Sequence, residues 1–378
     1  MTNHNAQSPA AFSAWLDLFR WLAASVVVIM HAGGILMLPL TYISPAERPP
    51  AQYIYSFVAG MAHYGVMMFF VMSGYLVGGS WIRDKAAGRA SFGEYMSKRV
   101  ARLTIVLYPT LALTPVLTLL GLLAYRGTTG AGVYPMHTIG EAGFATIACN
   151  VAFLQDVGCQ VAGGNLSLWS LTHEFWYYVC FPLLFMGWRG RATAFVLLGT
   201  LTWFQVASVP ILPYFAVWLL GAALSVAPRR NINLNAAALL FLAIIVIGRV
   251  TMKDAQGLPG FLTDMSVALS FTLLLWSLKS RSELSHPPFA ALHARMAGFS
   301  YTLYCTHVPL LYLFSSVSMA LLGIGDRSPA RGMMNWAVLF AAIGFSFVMA
   351  SLISKLTEDK TAEFRAQMIT WLAKPVRI

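Results

Sequence analysis

The sequence predicts an all-α fold, a polytopic bundle of about ten transmembrane helices with both termini in the cytoplasm. Of its 378 residues, 58% are hydrophobic and only 10% are charged, whereas a soluble domain has about 25% charged residues. The mean hydropathy is +0.67. The apolar residues are gathered into runs close to the roughly 20 residues that a membrane helix needs. Lys and Arg are unequally divided between the connections on the two sides.

Ten apolar segments follow one another along the chain. They lie at about 14–38, 56–80, 103–124, 166–188, 192–209, 210–227, 232–250, 258–278, 297–322 and 333–355. Pro210 and Pro213 interrupt the fifth and sixth segments, so this pair is either a tight hairpin or one broken segment. We expect one membrane domain over residues 1–378, with spans at about 14–355 and a short cytoplasmic tail at 356–378.

The basic residues orient the bundle. With a cytoplasmic N-terminus, 18 of the 25 Lys and Arg residues fall in inside connections and six in outside connections, with Arg20 inside the first span. This is the positive-inside pattern, so both ends are predicted to be cytoplasmic. It also explains the net charge of +11 without a nucleic-acid partner. The short polar start and the long first span predict no cleavable signal peptide.

Two ionisable residues lie within the first span, Arg20 and His31. At 100° per residue, eleven residues return to within about 20° of the same helix face, and they rise roughly 16 Å. Ionisable groups inside a membrane are costly and usually face a bundle interior or a watery cavity. The pair is either a snorkelling arginine with a buried structural histidine, or a polar track from the cytoplasmic surface to mid-depth.

The fourth span contains a carboxylate, Glu174, with His173 beside it and Trp169 one turn earlier. A carboxylate at this depth needs a partner, and Arg20 or His31 is the natural choice within a bundle. The residues alone leave open whether Glu174 is structural or catalytic.

The second and ninth spans add Ser73 and His307. Ser73 lies among glycines that favour close helix packing, and as a nucleophile it would require an activating base. His307 is a third polar point within the membrane.

A basic cluster opens the third span, formed by Lys98, Arg99 and Arg102. It is either ordinary cytoplasmic anchoring or a clamp for phosphate, which arginines bind in bidentate fashion.

Cys149 and Cys159 both lie in the predicted outer connection, where they either form a disulfide or remain two thiols. No spacing of His, Cys, Asp or Glu resembles a zinc site, so we expect no metal.

Together these segments resemble the acyltransferase 3 family of membrane acyltransferases. Arg20, ten residues and His31 match its first-helix signature, with Asp17 just before. The stretches FFVMSGYL, KRVAR with Pro109, WSLTHEFWYYVCFPLL and YTLYCTHVPLL are similar to later family motifs in the same order. Glu358 lies where the family often has glutamate. The likeness covers about residues 14–360, and we expect no fused extracytoplasmic domain.

The resemblance implies an O-acyltransferase of a bacterial inner membrane. It would take an acyl group, usually acetyl, from cytoplasmic acyl-CoA and place it on a hydroxyl of a carbohydrate or lipid-linked glycan. It assigns catalysis to His31, Arg20 and Glu174, and donor binding to the basic cluster and Ser73. The residues His63-Tyr64 and His173 depart from the family pattern, and these departures concern acceptor specificity.

Two other classes fit the same polar residues. A transporter or flippase for a glycan or small molecule would use polar residues in its spans and proline-broken helices. No inverted repeat is visible in the hydropathy, which argues against it. A structural or sensor protein would use Arg20, His31 and Glu174 only as a buried network, and activity alone separates it from an enzyme.

Overall fold

Every regular element is helical in the residues that this computed structural model describes, 7–125, 143–205, 209–252, 255–324 and 332–372. The α-helices are α1 (Gln7–Leu36), α2 (Pro50–Ala59), α3 (Ala62–Ser73), α4 (Gly79–Ala86), α5 (Phe92–Tyr125), α6 (Phe144–Val151), α7 (Trp169–Leu183), α8 (Gly187–Trp203), α9 (Ile211–Val226), α10 (Leu234–Thr251), α11 (Gly257–Ser280), α12 (Ala290–Gly298), α13 (Ser300–Leu322), α14 (Met333–Ser354) and α15 (Thr361–Leu372). A π-helical turn, Gly74–Gly78, joins α3 to α4.

Seven helical segments within the described residues are long and apolar enough to cross a membrane. They are Ala10–Leu36, Pro50–Ala86, Phe92–Ala124, Leu234–Thr251, Gly257–Ser280, Ser300–Leu322 and Met333–Trp371. These match seven of the ten predicted spans, and the predicted all-helical membrane fold is confirmed. The count of ten and the cytoplasmic termini stay predictions. Residues 126–142 of the predicted outer connection and 373–378 of the tail lie outside the described residues.

The other three predicted spans form helices that are shorter than the roughly 20 residues of a typical membrane helix. Helices α7, α8 and α9 have 15, 17 and 16 residues. Pro182 lies just before the end of α7, and Gly187 begins α8 with a φ of +71°, which a residue with a side chain rarely adopts. Pro210 is the residue immediately before α9, and its ring restricts the backbone there to an extended conformation that leads into the first helical turn. The predicted fifth and sixth segments are thus two helices.

The described residues fall into two compact units that are each built from separate stretches of chain. The first unit takes its residues from 1–25, 60–96 and 173–298, and the second from 26–59, 97–172 and 299–378. Helices α1, α5 and α7 each contribute one part to one unit and the remainder to the other.

The first unit is organised around a close crossing between α9 and the end of α3. A Cβ atom added to Gly74 would lie 1.9 Å from the Trp218 carbonyl oxygen, and one added to Gly221 would lie 1.8 Å from the Val71 carbonyl oxygen. Each helix therefore needs a glycine where it meets the other. Trp218 is fully buried beside the crossing and packs on Phe181, with ring centroids 4.9 Å apart.

The second unit has its core between α13, α14 and the second half of α1. Its buried apolar residues are Ala32, Leu36, Met37, Leu311, Val338, Leu339 and Ala342. Small residues on α1 and α14 allow close packing of these helices. Gly323 ends α13 in the left-handed conformation, with a φ of +65°. This packing fixes α1 and α13 beside each other within the unit.

Candidate active site

In the second unit, α1 and α13 bring His31 and His307 into contact. Nδ1 of His31 lies 2.9 Å from Nε2 of His307, although the residues are 276 positions apart in the chain. The His307 ring is completely buried, whereas His31 is partly exposed. Nδ1 of His307 lies 2.8 Å from the carbonyl oxygen of Leu303, one turn earlier on α13. The two rings therefore form a chain of hydrogen bonds that ends at a backbone carbonyl.

This chain sets the tautomer of both rings when they are neutral. A carbonyl oxygen only accepts, so Nδ1 of His307 carries its proton and donates to Leu303. Nε2 of His307 is then an acceptor, and Nδ1–H of His31 donates to it. The remaining nitrogen of His31, Nε2, keeps its lone pair. The geometry leaves on the more exposed histidine a nitrogen that can take a proton.

In the first unit, Glu174 is held by hydroxyl groups. Oε1 of Glu174 accepts from Ser73 Oγ at 3.1 Å and from the hydroxyl of Tyr178 on the same helix. The indole N–H of Trp218 donates to Ser73 Oγ at 3.1 Å. Glu174 is partly exposed, and Tyr178 is buried. The carboxylate that the sequence paired with Arg20 or His31 is thus stabilised here by Ser73 and Tyr178.

Arg20 forms an ion pair with Asp17. Their side chains are 3.5 Å apart, one turn apart on α1, and both are about one-fifth to one-quarter exposed (21% and 24%). Next to Arg20, the indole of Trp21 donates to Nδ1 of His293 at 3.0 Å and stacks on its ring. Arg20 and Asp17 thus form a local polar pair on the first half of α1, with α12 packed beside it.

His173 and Trp169 have different surroundings, although α7 carries both. His173 is completely buried, its Nε2 lies 2.8 Å from the Val209 carbonyl oxygen, and its ring stacks on Phe70. These contacts suit a histidine that helps to pack the first unit. Trp169 begins α7 in the second unit and is partly exposed.

The predicted basic cluster lies on the first turns of α5 in the second unit. Lys98 and Arg102 are exposed and Arg99 is partly exposed. Arg102 lies 4.0 Å from Glu358, and the other oxygen of Glu358 accepts from both the backbone N–H and the hydroxyl of Thr302 at 3.0 Å. Glu358 therefore partly neutralises the cluster and ties α5 to the start of α13.

The connection predicted to lie outside contains a disulfide between Cys149 and Cys159, whose Cα atoms are 6.4 Å apart. Asn150 is buried between them, donates to the carbonyl of Gln160 and accepts from the backbone N–H of Ala162. Burial raises the pKa of the nearby Asp156 carboxyl. The segment is thus an ordered structure on the second unit.

Several hydrogen-bond partners in these sites were not predicted from the sequence. Tyr178 lies four residues after Glu174, so the helical period placed it on the same face and could have identified it. The contact between His31 and His307 has no such local signal, because only the packing of α1 on α13 creates it. Likewise, Ser170 meets the hydroxyl of Tyr304 at 2.7 Å across 134 positions.

Comparisons with known proteins add an identification of the family. A family model described as an acyltransferase domain matches residues 13–355, nearly the whole chain. A search of curated proteins and a search of solved structures found no significant match. Because the matched region contains all the residues described in this section except Glu358, the resemblance predicted from the motifs is confirmed. The chain belongs to the acyltransferase 3 family.

Proposed function

We propose that this protein is a membrane O-acyltransferase that moves an acyl group, in the simplest case acetyl, from cytoplasmic acyl-CoA to a hydroxyl of a carbohydrate or lipid-linked glycan. We place it in a bacterial inner membrane. Membership of the family and the seven apolar helices support acyl transfer at a membrane. The observation that carries the mechanism is the hydrogen-bonded pair His31–His307, with its chain to the Leu303 carbonyl.

In this proposal His31 is the general base. Its Nε2 takes the proton from the acceptor hydroxyl, and the oxygen attacks the thioester carbonyl carbon of the donor. The tetrahedral intermediate collapses, the carbon–sulfur bond breaks, and the CoA thiolate leaves. His31 returns the proton to the thiolate, so the products are an ester and CoA and the enzyme is unchanged. While His31 holds the proton, His307 accepts from its Nδ1–H and keeps the ring in place.

Arg20 and Glu174 have supporting roles in the proposal. Arg20 lies on α1 roughly 16 Å from His31 along the helix axis, a spacing that suits an extended pantetheine arm. We assign to Arg20 the orientation of the donor. Glu174 is a positioning residue, because its carboxylate is the common acceptor for Ser73 and Tyr178.

The basic cluster is proposed to bind the phosphates of the donor. We expect the double variant Arg99→Ala, Arg102→Ala to raise the apparent KM for acyl-CoA by about tenfold or more with a smaller effect on kcat, since each charge-assisted hydrogen bond contributes about 1.5–3 kcal/mol. Initial rates at varied acyl-CoA concentration measure this. Lys355→Ala, which removes an exposed charge just after α14, is the control. An unchanged KM would mean that the basic cluster only anchors the helix at the membrane surface.

The activity is tested with purified protein in detergent, radiolabelled acetyl-CoA and a crude envelope glycan extract, without any ion gradient. We expect label to enter the glycan and free CoA to appear in equal amount. If the protein neither released CoA nor bound acetyl-CoA, the proposal would be wrong. Transport of a glycan or small molecule would then become the better explanation of the same polar residues.

A further inference from the structure

The first unit contains a basic pocket that none of the assignments above uses. It lies where the connection between α9 and α10 meets the end of α11, and its volume is about 550 Å³. Three exposed arginines line it, Arg229, Arg230 and Arg281. Ligand pockets in proteins have volumes of about 300–1,000 Å³. The pocket is therefore large enough for a small ligand.

The backbone around the pocket is held in place by hydrogen bonds from the side chains of Lys279 and Trp276. Nζ of Lys279 donates to the carbonyls of Leu224, Ser225 and Ala227, at 2.6, 3.1 and 3.1 Å, and so caps the end of α9. The indole N–H of Trp276 donates to the Pro228 carbonyl at 2.8 Å. These bonds hold the connection against the end of α11.

Two further hydrogen bonds fix the backbone at two of the arginines. The backbone N–H of Arg230 donates to Ser280 Oγ at 3.1 Å, and the backbone N–H of Arg281 donates to the Leu278 carbonyl at 3.3 Å. The guanidinium groups of Arg230 and Arg281 are thus carried by a fixed backbone. A backbone that is already ordered lowers the entropy cost of binding.

The residues that line the pocket favour a negatively charged ligand. Against the three arginines there is one acidic residue, Glu283, so the pocket keeps a net positive charge. Ser280 and Ser282 supply hydroxyl groups along the wall, whereas the hydroxyl of the buried Ser277 already donates to the Leu274 carbonyl. Guanidinium groups bind phosphate with two parallel hydrogen bonds, and serine hydroxyls add further donors. Anchoring to the membrane surface requires only charge and does not require a framed cavity.

We propose that this pocket binds a phosphate group. Two sources carry that chemistry, a soluble nucleotide and the headgroup of an anionic lipid. The proposal concerns binding alone, and it does not depend on the acyl-transfer reaction.

The test uses two triple variants with the same loss of charge. The pocket variant is Arg229→Gln, Arg230→Gln, Arg281→Gln. The control is Arg89→Gln, Arg189→Gln, Arg295→Gln, which changes three exposed arginines of the same unit that do not line the pocket. Binding of adenosine 3′,5′-bisphosphate is measured by calorimetry in detergent. Retention of phosphatidylglycerol against phosphatidylcholine is measured by native mass spectrometry.

We expect the pocket variant, and not the control, to lose affinity for at least one probe by about tenfold or more, which is 1.4 kcal/mol. Loss of bisphosphate binding alone identifies a soluble nucleotide, loss of phosphatidylglycerol alone identifies a lipid headgroup, and loss of both means that the site accepts either. Equal changes in both variants, or no change in either, would overturn the proposal. Thermal unfolding of both variants verifies that they are folded.

Discussion

His31→Asn is expected to retain the fold and to lose acyl transfer by about 10²–10⁴-fold in kcat, the range that a general base contributes. Asparagine has no nitrogen that can take up a proton at neutral pH, so the acceptor hydroxyl stays protonated. Its side-chain amide N–H can take the place of Nδ1–H and still donate to Nε2 of His307. The measurement is the initial rate of label transfer from acetyl-CoA, together with the thermal unfolding temperature in detergent.

His31→Ala tests the hydrogen bond between His31 and His307 in addition to the loss of the base. It also removes the base, but it leaves the buried Nε2 of His307 without its donor, which costs about 1–3 kcal/mol. The alanine variant is therefore expected to be less stable than the asparagine variant and equally inactive. His286→Ala, in the exposed connection before α12, is the control for loss of any histidine. Wild-type rates in His31→Asn would refute the assignment of the base.

Gly74→Ala is expected to give the largest loss of stability in the first unit. The new Cβ would lie 1.9 Å from the Trp218 carbonyl oxygen and 3.0 Å from the Ala222 nitrogen, and both are backbone atoms. Neither can rotate away, so α9 must move as a whole. Inserting extra volume into a packed core costs about 1–3 kcal/mol and occasionally more. Thermal unfolding in detergent should show a decrease of several degrees for this variant, and for Gly221→Ala.

The control is Gly199→Ala in α8, where an added Cβ meets nothing within 4 Å. Alanine is better than glycine inside a helix by about 0.5–1 kcal/mol, so this variant is expected to be as stable as the wild type or slightly more stable. The two substitutions are chemically identical, and only the distance to the neighbouring helix separates them. If Gly74→Ala and Gly199→Ala unfolded at the same temperature, the close crossing would be wrong.

The sequence predicted the helical membrane fold because composition and the length of apolar runs determine it. It could not predict where the apolar runs divide into separate helices. Helix α7 ends after Pro182, and α8 begins at Gly187 in a left-handed conformation that nothing in the apolar pattern indicates. Hydropathy averages over such breaks, so it does not locate the ends of short helices.

The sequence could indicate candidate residues but not the partners of those residues. Charges inside apolar spans identified Arg20, His31, Glu174 and His307, because their cost makes them conspicuous. Contacts between residues that are far apart in the sequence depend on how the helices pack, and no periodic pattern in the sequence indicates that packing. Glu174 was expected to pair with a cation, but in the first unit the hydroxyls of Ser73 and Tyr178 donate to it. A carboxylate can be stabilised by neutral donors, which charge counting does not detect.

The π-helical turn at Gly74–Gly78 has a consequence for the register of the second membrane segment. The N–H of Gly79 donates to the Gly74 carbonyl, five residues earlier. In a regular α-helix these two glycines would be about 140° apart around the axis. Here both face α9, since a Cβ on Gly79 would lie 2.6 Å from Cβ of Ser225.

The turn therefore acts as an insertion of one residue that the helix absorbs locally. The glycines on either side therefore both keep their contact with α9. A chain with one residue fewer between Gly74 and Gly79 would form an ordinary α-helix there and preserve the crossing. An added or lost residue that no such turn absorbed would rotate α4 by about 100° relative to the crossing. The π-helical turn thus determines which side chains of α4 face α9.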